Sequence, residues 1–204
     1  MRTLLISLTF SPLLLLAQAR TGQNLIDDGL KKYVIKSGKI TYRITGDATG
    51  EEVMVFQMNG WQSMRKQTMV FELYGIKTIQ TLHEITDGDY LYRLNEGDST
   101  YQSRKDYKWS QQAAYKTPAQ SSEAVLFSLG GTRAADSTLL DKKCEVWTFE
   151  GKALQELWVW NGLVLKRIAK LGDQMIYTTA RNLEMGYEPE PSIFLIPSYM
   201  NEKE

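Results

Sequence analysis

Histidine and cysteine are almost absent from this 204-residue chain, which has one of each, His83 and Cys144. A single cysteine cannot form an intrachain disulfide, so we interpret Cys144 as a buried, inert thiol. A Ser-His-Asp triad would have to use His83, which lies beside Glu84 in an alternating segment typical of an ordinary strand. There is no Gly-x-Ser-x-Gly elbow. We therefore predict that the protein is not an enzyme, although a glycosidase-type carboxylate pair stays open because its members meet in space rather than in sequence.

Patterns for metals, phosphates and nucleic acids are also scarce. One His and one Cys leave mainly carboxylates as metal ligands, and Asp87-Gly88-Asp89 lacks the later oxygen ligands of a calcium loop. Gly130-Gly131 is not followed by the Gly-Lys-Ser/Thr of a phosphate loop. The 24 basic and 24 acidic side chains balance, and their signs are interspersed, which disfavours a nucleic-acid partner. We predict no metal site and no cofactor.

Only one long apolar run occurs, from Leu4 to Leu16, and it is too short to span a bilayer comfortably. It follows Arg2 and precedes Ala17-Gln18-Ala19, the small-x-small pattern of a signal-peptidase site. No cysteine stands just after the apolar run, so lipid attachment of the bacterial lipoprotein type has no acceptor. The sequence thus predicts a signal peptide over residues 1–19 and an exported, soluble periplasmic protein without a transmembrane segment, in which residues 20–204 form one domain.

Turn signals divide the remaining chain into β-hairpins. Asn161-Gly162 separates two apolar segments between Leu154 and Leu171, and this dipeptide is the strongest hairpin signal because both residues tolerate the positive φ of a type I′ turn. Asn59-Gly60 and Asp87-Gly88 predict two further hairpins. Such regular turn spacing is typical of an antiparallel sandwich or barrel, here of about ten strands.

Two helices and a short final strand complete the predicted pattern. Asn24 to Lys32 predicts an N-terminal helix capped by its asparagine. Ser121 to Leu129 predicts a second helix after a polar linker, ended by two glycines, with an apolar stripe suited to covering a sheet. The stripe consists of Val125, Leu126 and Leu129. Ile193 to Ile196 predicts the last strand, followed by a frayed tail over residues 201–204.

Aromatic and methionine side chains are the most informative surplus. Flat rings and deformable thioethers suit contact with an apolar surface of variable shape. Strands with large apolar side chains on both faces also supply more apolar volume than one small core can bury. We therefore predict that these side chains line an apolar cavity, while the alternative that they fill the core stays open. The candidates are Met54, Phe56, Met58, Tyr90, Tyr92, Trp158 and Trp160.

This order of elements resembles the periplasmic outer-membrane lipoprotein carriers and their incomplete-barrel relatives. The resemblance rests on an N-terminal helix, an antiparallel meander, a midway helical insertion, a second meander and the closing Phe194-Leu195-Ile196-Pro197. It implies a mainly β (α+β) fold, an antiparallel incomplete β-barrel with a helical lid, around a cavity for acyl chains. The segment from Trp61 to Phe71 offers Arg65 without the carriers' Phe-Arg-Trp pattern, so no site residue is transferred by motif.

Two functions remain as hypotheses. The first is a non-catalytic envelope carrier of a lipid-like apolar ligand, with Arg43 and Arg65 as candidate headgroup contacts. The second is an envelope structural or protein-interaction module whose barrel is filled by its own side chains. Cavity volume separates the two, because ligand pockets measure about 300 to 1,000 Å³ whereas packed interiors leave voids barely larger than a water molecule.

Cleavage of the signal peptide is directly testable. Because Ala17-Gln18-Ala19 satisfies the small-x-small rule, we expect the exported protein to begin at Arg20. Intact-mass measurement of the protein recovered from the envelope checks this. A full-length product beginning at Met1 in that compartment would contradict it.

Overall fold

The computed structural model describes residues 31–73, 75–88, 90–105 and 117–203, and within them the chain forms thirteen strands, one α-helix and two short 3-10 helices. The helix α1 (Pro118–Ser128) lies between the sixth and seventh strands in the chain. The strands are β1 (Gly38–Gly46), β2 (Ala48–Gln57), β3 (Gln62–Leu73), β4 (Ile76–Asp87), β5 (Tyr90–Asn95), β6 (Thr100–Lys105), β7 (Thr132–Arg133), β8 (Ser137–Leu139), β9 (Lys142–Thr148), β10 (Leu154–Trp160), β11 (Leu163–Leu171), β12 (Gln174–Met185) and β13 (Asn201–Glu202).

A single open sheet contains these strands. Twelve of them follow one path in the order β13-β6-β5-β4-β3-β2-β1-β12-β11-β10-β9-β7, and β8 pairs with β9 beside that path. Every pair is antiparallel except β13 with β6. Within the described residues the end strands β13 and β7 do not pair with each other, so the barrel is incomplete. This confirms the predicted fold class, with three more strands than the ten expected.

Alternating side chains hold the centre of the sheet. In β1, Ile40, Tyr42 and Ile44 are buried and alternate with more exposed residues, as expected for a strand with one face on the core. One apolar cluster joins Ile40 of β1 with Phe56 of β2 and with Leu163 and Leu165 of β11. Cys144 belongs to this cluster and is buried, as predicted, and burial raises the pKa of its thiol.

Helix α1 packs against a second apolar cluster. The Oγ1 of Thr117 accepts a hydrogen bond from the Gln120 N–H at 3.1 Å and so caps the first turn. Gly130, at φ +83°, ends the helix as predicted. The buried side of the helix rests on one group of side chains through Leu126. That group is Trp147, Phe149, Leu157 and Val159.

The predicted apolar stripe of this helix is only partly correct. Leu126 is buried and Val125 half-buried, whereas the Leu129 side chain is 54% exposed. Leu129 follows the last helical residue, where the chain turns toward Gly130, so the helical periodicity no longer applies to it. Phe127 takes its place by setting its ring edge-on against Trp147, with the centroids 5.0 Å apart.

The central hairpin forms as predicted. Asn161 and Gly162 both have positive φ, +51° and +84°, and Trp160 pairs with Leu163 across the turn. The Asp87-Gly88 hairpin also forms, but Asp87 pairs with Tyr90 and so belongs to β4 rather than to the turn. This one-residue shift leaves the pairing of β4 with β5 intact.

The Asn59-Gly60 connection is not the two-residue turn that the dipeptide predicted. Gln57 pairs with Gln62, and a 3-10 helix over Met58–Gly60 lies between them. The reason is tertiary: the buried Asn59 side chain donates to the Tyr33 carbonyl at 3.1 Å, and the Asn59 carbonyl accepts from the Tyr33 N–H at 2.9 Å. These bonds fix the segment that precedes β1 and override the local turn preference.

The C-terminal prediction is wrong. The predicted strand from Ile193 to Ile196 overlaps a 3-10 helix over Pro191–Phe194, and the tail predicted to fray forms β13 beside β6. Proline fixes φ near the helical range at the start of this turn. Met200 anchors the tail because its side chain is buried against Ile85 and Leu94.

Several sequence predictions lie outside the described residues. They are the signal peptide over residues 1–19, residues 24–30 of the expected N-terminal helix, and residues 110–116 of the linker. Within the ranges given above, no helix has the length and apolar character of a candidate membrane span.

The central turn gives a stability prediction. A Cβ at position 162 would lie 2.5 Å from the Lys32 carbonyl oxygen, whereas a Cβ at Gly172 would meet no described atom within 4 Å. Gly162→Val should therefore destabilise the protein by more than about 1 kcal/mol, and by more than Gly172→Val, which shares the backbone strain at positive φ. Urea unfolding measures both variants. Equal losses would show that the contact with Lys32 is unimportant.

Candidate ligand-binding cavity

A cavity of about 530 Å³ lies between the concave face of the sheet and helix α1. Strands β1 to β6 form one side of its lining, and β10, β11 and α1 form the other. The volume falls within the range of small-molecule pockets and is far larger than a packing void.

A cross-strand row places alternating charges along one wall. Arg65 of β3 lies directly opposite Met54 of β2 on one side and Glu84 of β4 on the other, and Glu84 lies opposite Arg93 of β5. Opposed residues in antiparallel strands share a face and have close Cβ atoms. The register alone therefore brings these four side chains into one line on the cavity wall.

Glu52 is the most deeply buried charge in this wall, with 2% of the residue exposed. Gln67 donates to its Oε2 at 2.6 Å, and Arg167 contacts both carboxylate oxygens, one of them at 3.2 Å from Nη1. Arg65 Nε lies 3.2 Å from Oε1 as an ion pair without hydrogen-bond alignment. Two guanidinium groups and one amide thus compensate for the loss of hydration of a single carboxylate.

Glu84 is held in a similar way at the next position along the wall. Arg93 donates to its Oε1 from Nη2 at 2.8 Å and from Nε at 3.3 Å, and Arg65 Nη1 lies 3.5 Å from Oε2. Arg65 therefore bridges Glu52 and Glu84. The four side chains form one continuous network together with Arg167.

Tyr42 lies opposite Glu52 in the pairing of β1 with β2 and contacts the opposite wall. Its hydroxyl donates to the carbonyl of Val164 in β11 at 2.9 Å. Burial, and secondarily the negative charge of Glu52, raise the pKa of this phenol far above its ordinary value. Tyr42 therefore stays protonated and remains a hydrogen-bond donor.

The other wall is mainly apolar. Val159 of β10 and Val164 of β11 line the cavity together with Val125 and Leu126 of helix α1, and Leu126 packs in the same apolar cluster as Val159. These short side chains leave free volume that longer ones would occupy. The cavity is thus amphipathic: charged side chains lie on β2 to β6 and, through Arg167, on β11, and aliphatic surface lies on β10, β11 and α1.

Two of the predicted binding residues line this cavity, Met54 and Arg65. Phe56 is instead buried in the core, where its ring meets Tyr33 edge-on at a centroid distance of 4.9 Å. Met58 lies in the 3-10 turn after β2.

The remaining predicted residues lie elsewhere. Tyr90 and Tyr92 stack at a centroid distance of 6.2 Å near the β5 turn, and Tyr90 is 47% exposed. Trp158 and Trp160 pack against the Cys144 cluster, on the face of β10 opposite Val159. The structure does not test a ligand-binding role for these aromatic residues, so that role stays a prediction.

Arg43 occupies a different depression from Arg65. It lines a recess over β1 and β2 together with Thr49, Glu51 and Arg181. Because neighbouring residues of a strand point to opposite faces, Arg43 lies on the other side of β1 from Tyr42. The two predicted headgroup contacts are therefore not brought together.

Sequence reasoning missed most of the charged network, namely Glu52, Glu84, Arg93 and Arg167. Glu52 did carry a signal, since it shares a strand face with Met54 and Phe56, and a carboxylate on an apolar face needs a buried partner. The identity of that partner depends on the tertiary contact between β2 and β11, which no local pattern encodes.

No protein-family model and no curated protein matches the chain. Among solved structures, an uncharacterized conserved protein from Thermus thermophilus matches at a TM-score of 0.53 and 9% identity, covering 87% of this chain and 96% of that one. MucB matches at 0.43 and 13%, covering 87% and 62%, and the LolA superfamily protein NE2245 from Nitrosomonas europaea matches at 0.32 and 10%, covering 87% and 98%. At these identities only the fold is compared. The fold-level resemblance to the carriers is confirmed by the architecture, an open antiparallel sheet with a helix inserted midway.

The buried carboxylate gives a prediction for stability. Glu52→Gln removes the charge that compensates Arg167 and Arg65, so we expect a loss of about 3 kcal/mol in the free energy of unfolding. Glu51→Gln is the matched control, because Glu51 is the exposed neighbour on the same strand and should change stability by less than about 0.5 kcal/mol. Urea denaturation compares the two. Similar midpoints would mean that the network contributes nothing to the fold.

Proposed function

We propose that this protein is a non-catalytic binding or carrier protein of the bacterial periplasm, and that it holds a lipid-like ligand between its concave sheet and helix α1. The observation that carries the proposal is the 530 Å³ cavity beneath the helix, with an aliphatic wall on one side. A self-filled barrel would leave no such volume. The predicted signal peptide supports the location.

The aliphatic wall is suited to an alkyl chain. Each buried methylene contributes about 0.8 kcal/mol, so about ten of them supply the roughly 8 kcal/mol of a micromolar dissociation constant before ordering costs. Val125, Val159 and Val164 offer only C–H surface to such a chain. Affinity for the apolar part therefore comes from burial rather than from specific hydrogen bonds.

Helix α1 forms the cover of the cavity. It approaches the sheet through Leu126, while Phe127 and Leu129 remain more than half exposed. Gly131 follows closely, and a Cβ there would lie 2.7 Å from the Phe149 ring, so the chain passes tightly against the end of β9. This tight passage fixes the end of the cover, and Ser122 and Val125 face the ligand space.

An uncharged apolar dye tests this proposal independently of any headgroup. N-phenyl-1-naphthylamine should bind the purified protein saturably with a rise in fluorescence. Val125→Trp should weaken binding at least about tenfold, because an indole occupies the volume of several methylenes. Glu123→Trp places the same side chain on an exposed position of α1 outside the cavity lining and should leave binding unchanged.

Folding of the variants is checked by circular dichroism, and Ser122→Trp provides a second cavity-filling variant should Val125→Trp unfold. Native mass spectrometry of the wild type from bacterial envelopes should show a bound lipid. If the wild type binds no dye and carries no lipid, the protein is instead the structural or interaction module considered from its sequence.

A further inference from the structure

We propose that the cavity selects amphiphiles with an anionic head, and that Arg104 and Arg93 hold the head at the β5–β6 side. This inference rests on the proposed function and names the chemical class of its ligand. The head is a carboxylate or phosphate group joined to an alkyl chain.

The charge balance of the cavity points to an anion. Its described lining carries four arginines, one lysine (Lys32) and only two carboxylates, in a chain whose overall formal charge is zero. Both carboxylates are already occupied by arginines: Glu52 by Arg167 and Arg65, and Glu84 by Arg65 and Arg93. Both carboxylates therefore already have cationic partners. Positive charge therefore remains in excess on the wall.

Arg104 carries the clearest part of this excess. It lies on β6 directly opposite Leu91 of β5, and both side chains line the cavity. In the ranges that the structure describes, Arg104 makes no ion pair, and its guanidinium offers five N–H donors in a fixed fork. Such a fork matches carboxylate and phosphate oxygens in a bidentate way.

Arg93 lies close enough to complete a two-arginine site. It is diagonal to Arg104 across the β5–β6 ladder, because Arg93 pairs with Gln102 and Leu91 with Arg104. Such diagonal positions are within reach of long side chains. Arg93 uses Nε and Nη2 on Glu84, which leaves Nη1 for a ligand.

The valines and the two arginines that would hold the head lie on different elements of the cavity wall. The valines belong to β10, β11 and α1, whereas Arg93 and Arg104 belong to β5 and β6. Leu91 continues the apolar surface up to the arginines. An alkyl chain against the valines therefore directs its head toward Arg104.

Displacement of the uncharged dye by four amphiphiles of equal chain length tests the inference. The competitors are palmitate, 1-palmitoyl-glycerol 3-phosphate, 1-monopalmitoylglycerol and hexadecyltrimethylammonium, each below its micelle concentration. We expect the two anions to compete about tenfold better than the neutral glyceride, and the cation to compete worst. The preference should shrink as salt rises, because exposed charges are screened over about 10 Å at 0.1 M.

Variants locate the head. Arg93→Gln/Arg104→Gln should abolish the preference for anions, which is measured within each variant as the ratio of anion competition to competition by the neutral glyceride. Arg181→Gln, an exposed arginine outside the cavity, is the control and should keep the preference. Inorganic phosphate without a chain should not displace the dye, because the apolar part supplies most of the affinity.

The outcomes separate this inference from the proposed function. If the dye binds but all four amphiphiles compete equally, or if the double variant keeps the full preference, the anionic head site is wrong and the carrier function stands.

Loss of the preference in Arg43→Gln alone would place the head in the other recess and overturn the assignment. Displacement of the dye by inorganic phosphate would contradict an amphiphile as the ligand. If the dye itself does not bind, the carrier function fails first.

Discussion

The ion pair between Glu52 and Arg167 is the contact on which the shape of this protein depends. Glu52 lies on β2 and Arg167 on β11, with β1 and β12 between them. In a flat sheet, three strand spacings would separate these backbones by about 14 Å. Because side chains project away from the plane of a sheet, the contact at 3.2 Å indicates that the sheet curls, and the hydrogen bond from Tyr42 to Val164 indicates the same curl between β1 and β11. Both contacts lie on the concave face and hold it concave.

The same contacts explain why the described side chains leave the concave face unfilled. Large apolar side chains at these positions would pack together and close the space, as core residues do. Arg65 and Arg167 are instead held by Glu52, and a charged group once paired and hydrogen-bonded is costly to move, because any shift leaves a partner uncompensated. The network therefore sets a fixed distance between the walls. The short valines of β10 and β11 then leave the remaining volume open.

Local chemistry accounts for what the sequence predicted correctly. Asn161-Gly162 forms its turn because both residues accept positive φ, and α1 ends at Gly130 for the same reason.

Prediction failed where distant contacts outweigh local preference. Asn59 bonds to Tyr33, and Met200 draws the tail onto β6. The turn between β8 and β9 has Leu140 and Asp141 at positive φ, a pair that no turn rule selects, and Leu140 packs against the Cys144 cluster. The charged network was not predicted for the same reason, since β2 and β11 meet only in the folded sheet.

The two faces of β10 are covered by different elements, and this difference determines the position of the cavity. The face of β10 with Trp158 and Trp160 carries the larger side chains. Because large apolar side chains occur on both faces of the strand, the sequence predicted that the two tryptophans line a cavity. On that face, however, Leu139 and Leu140 at the β8–β9 turn and Ile35 before β1 pack around the same cluster as Trp158 and Trp160, so the large rings meet apolar partners. On the Val159 face, the described elements that cover the sheet reduce to α1, which joins the cluster of Trp147, Phe149 and Val159 through Leu126. A cavity persists where short aliphatic side chains face charges that are already paired, because neither side gains by moving toward the other.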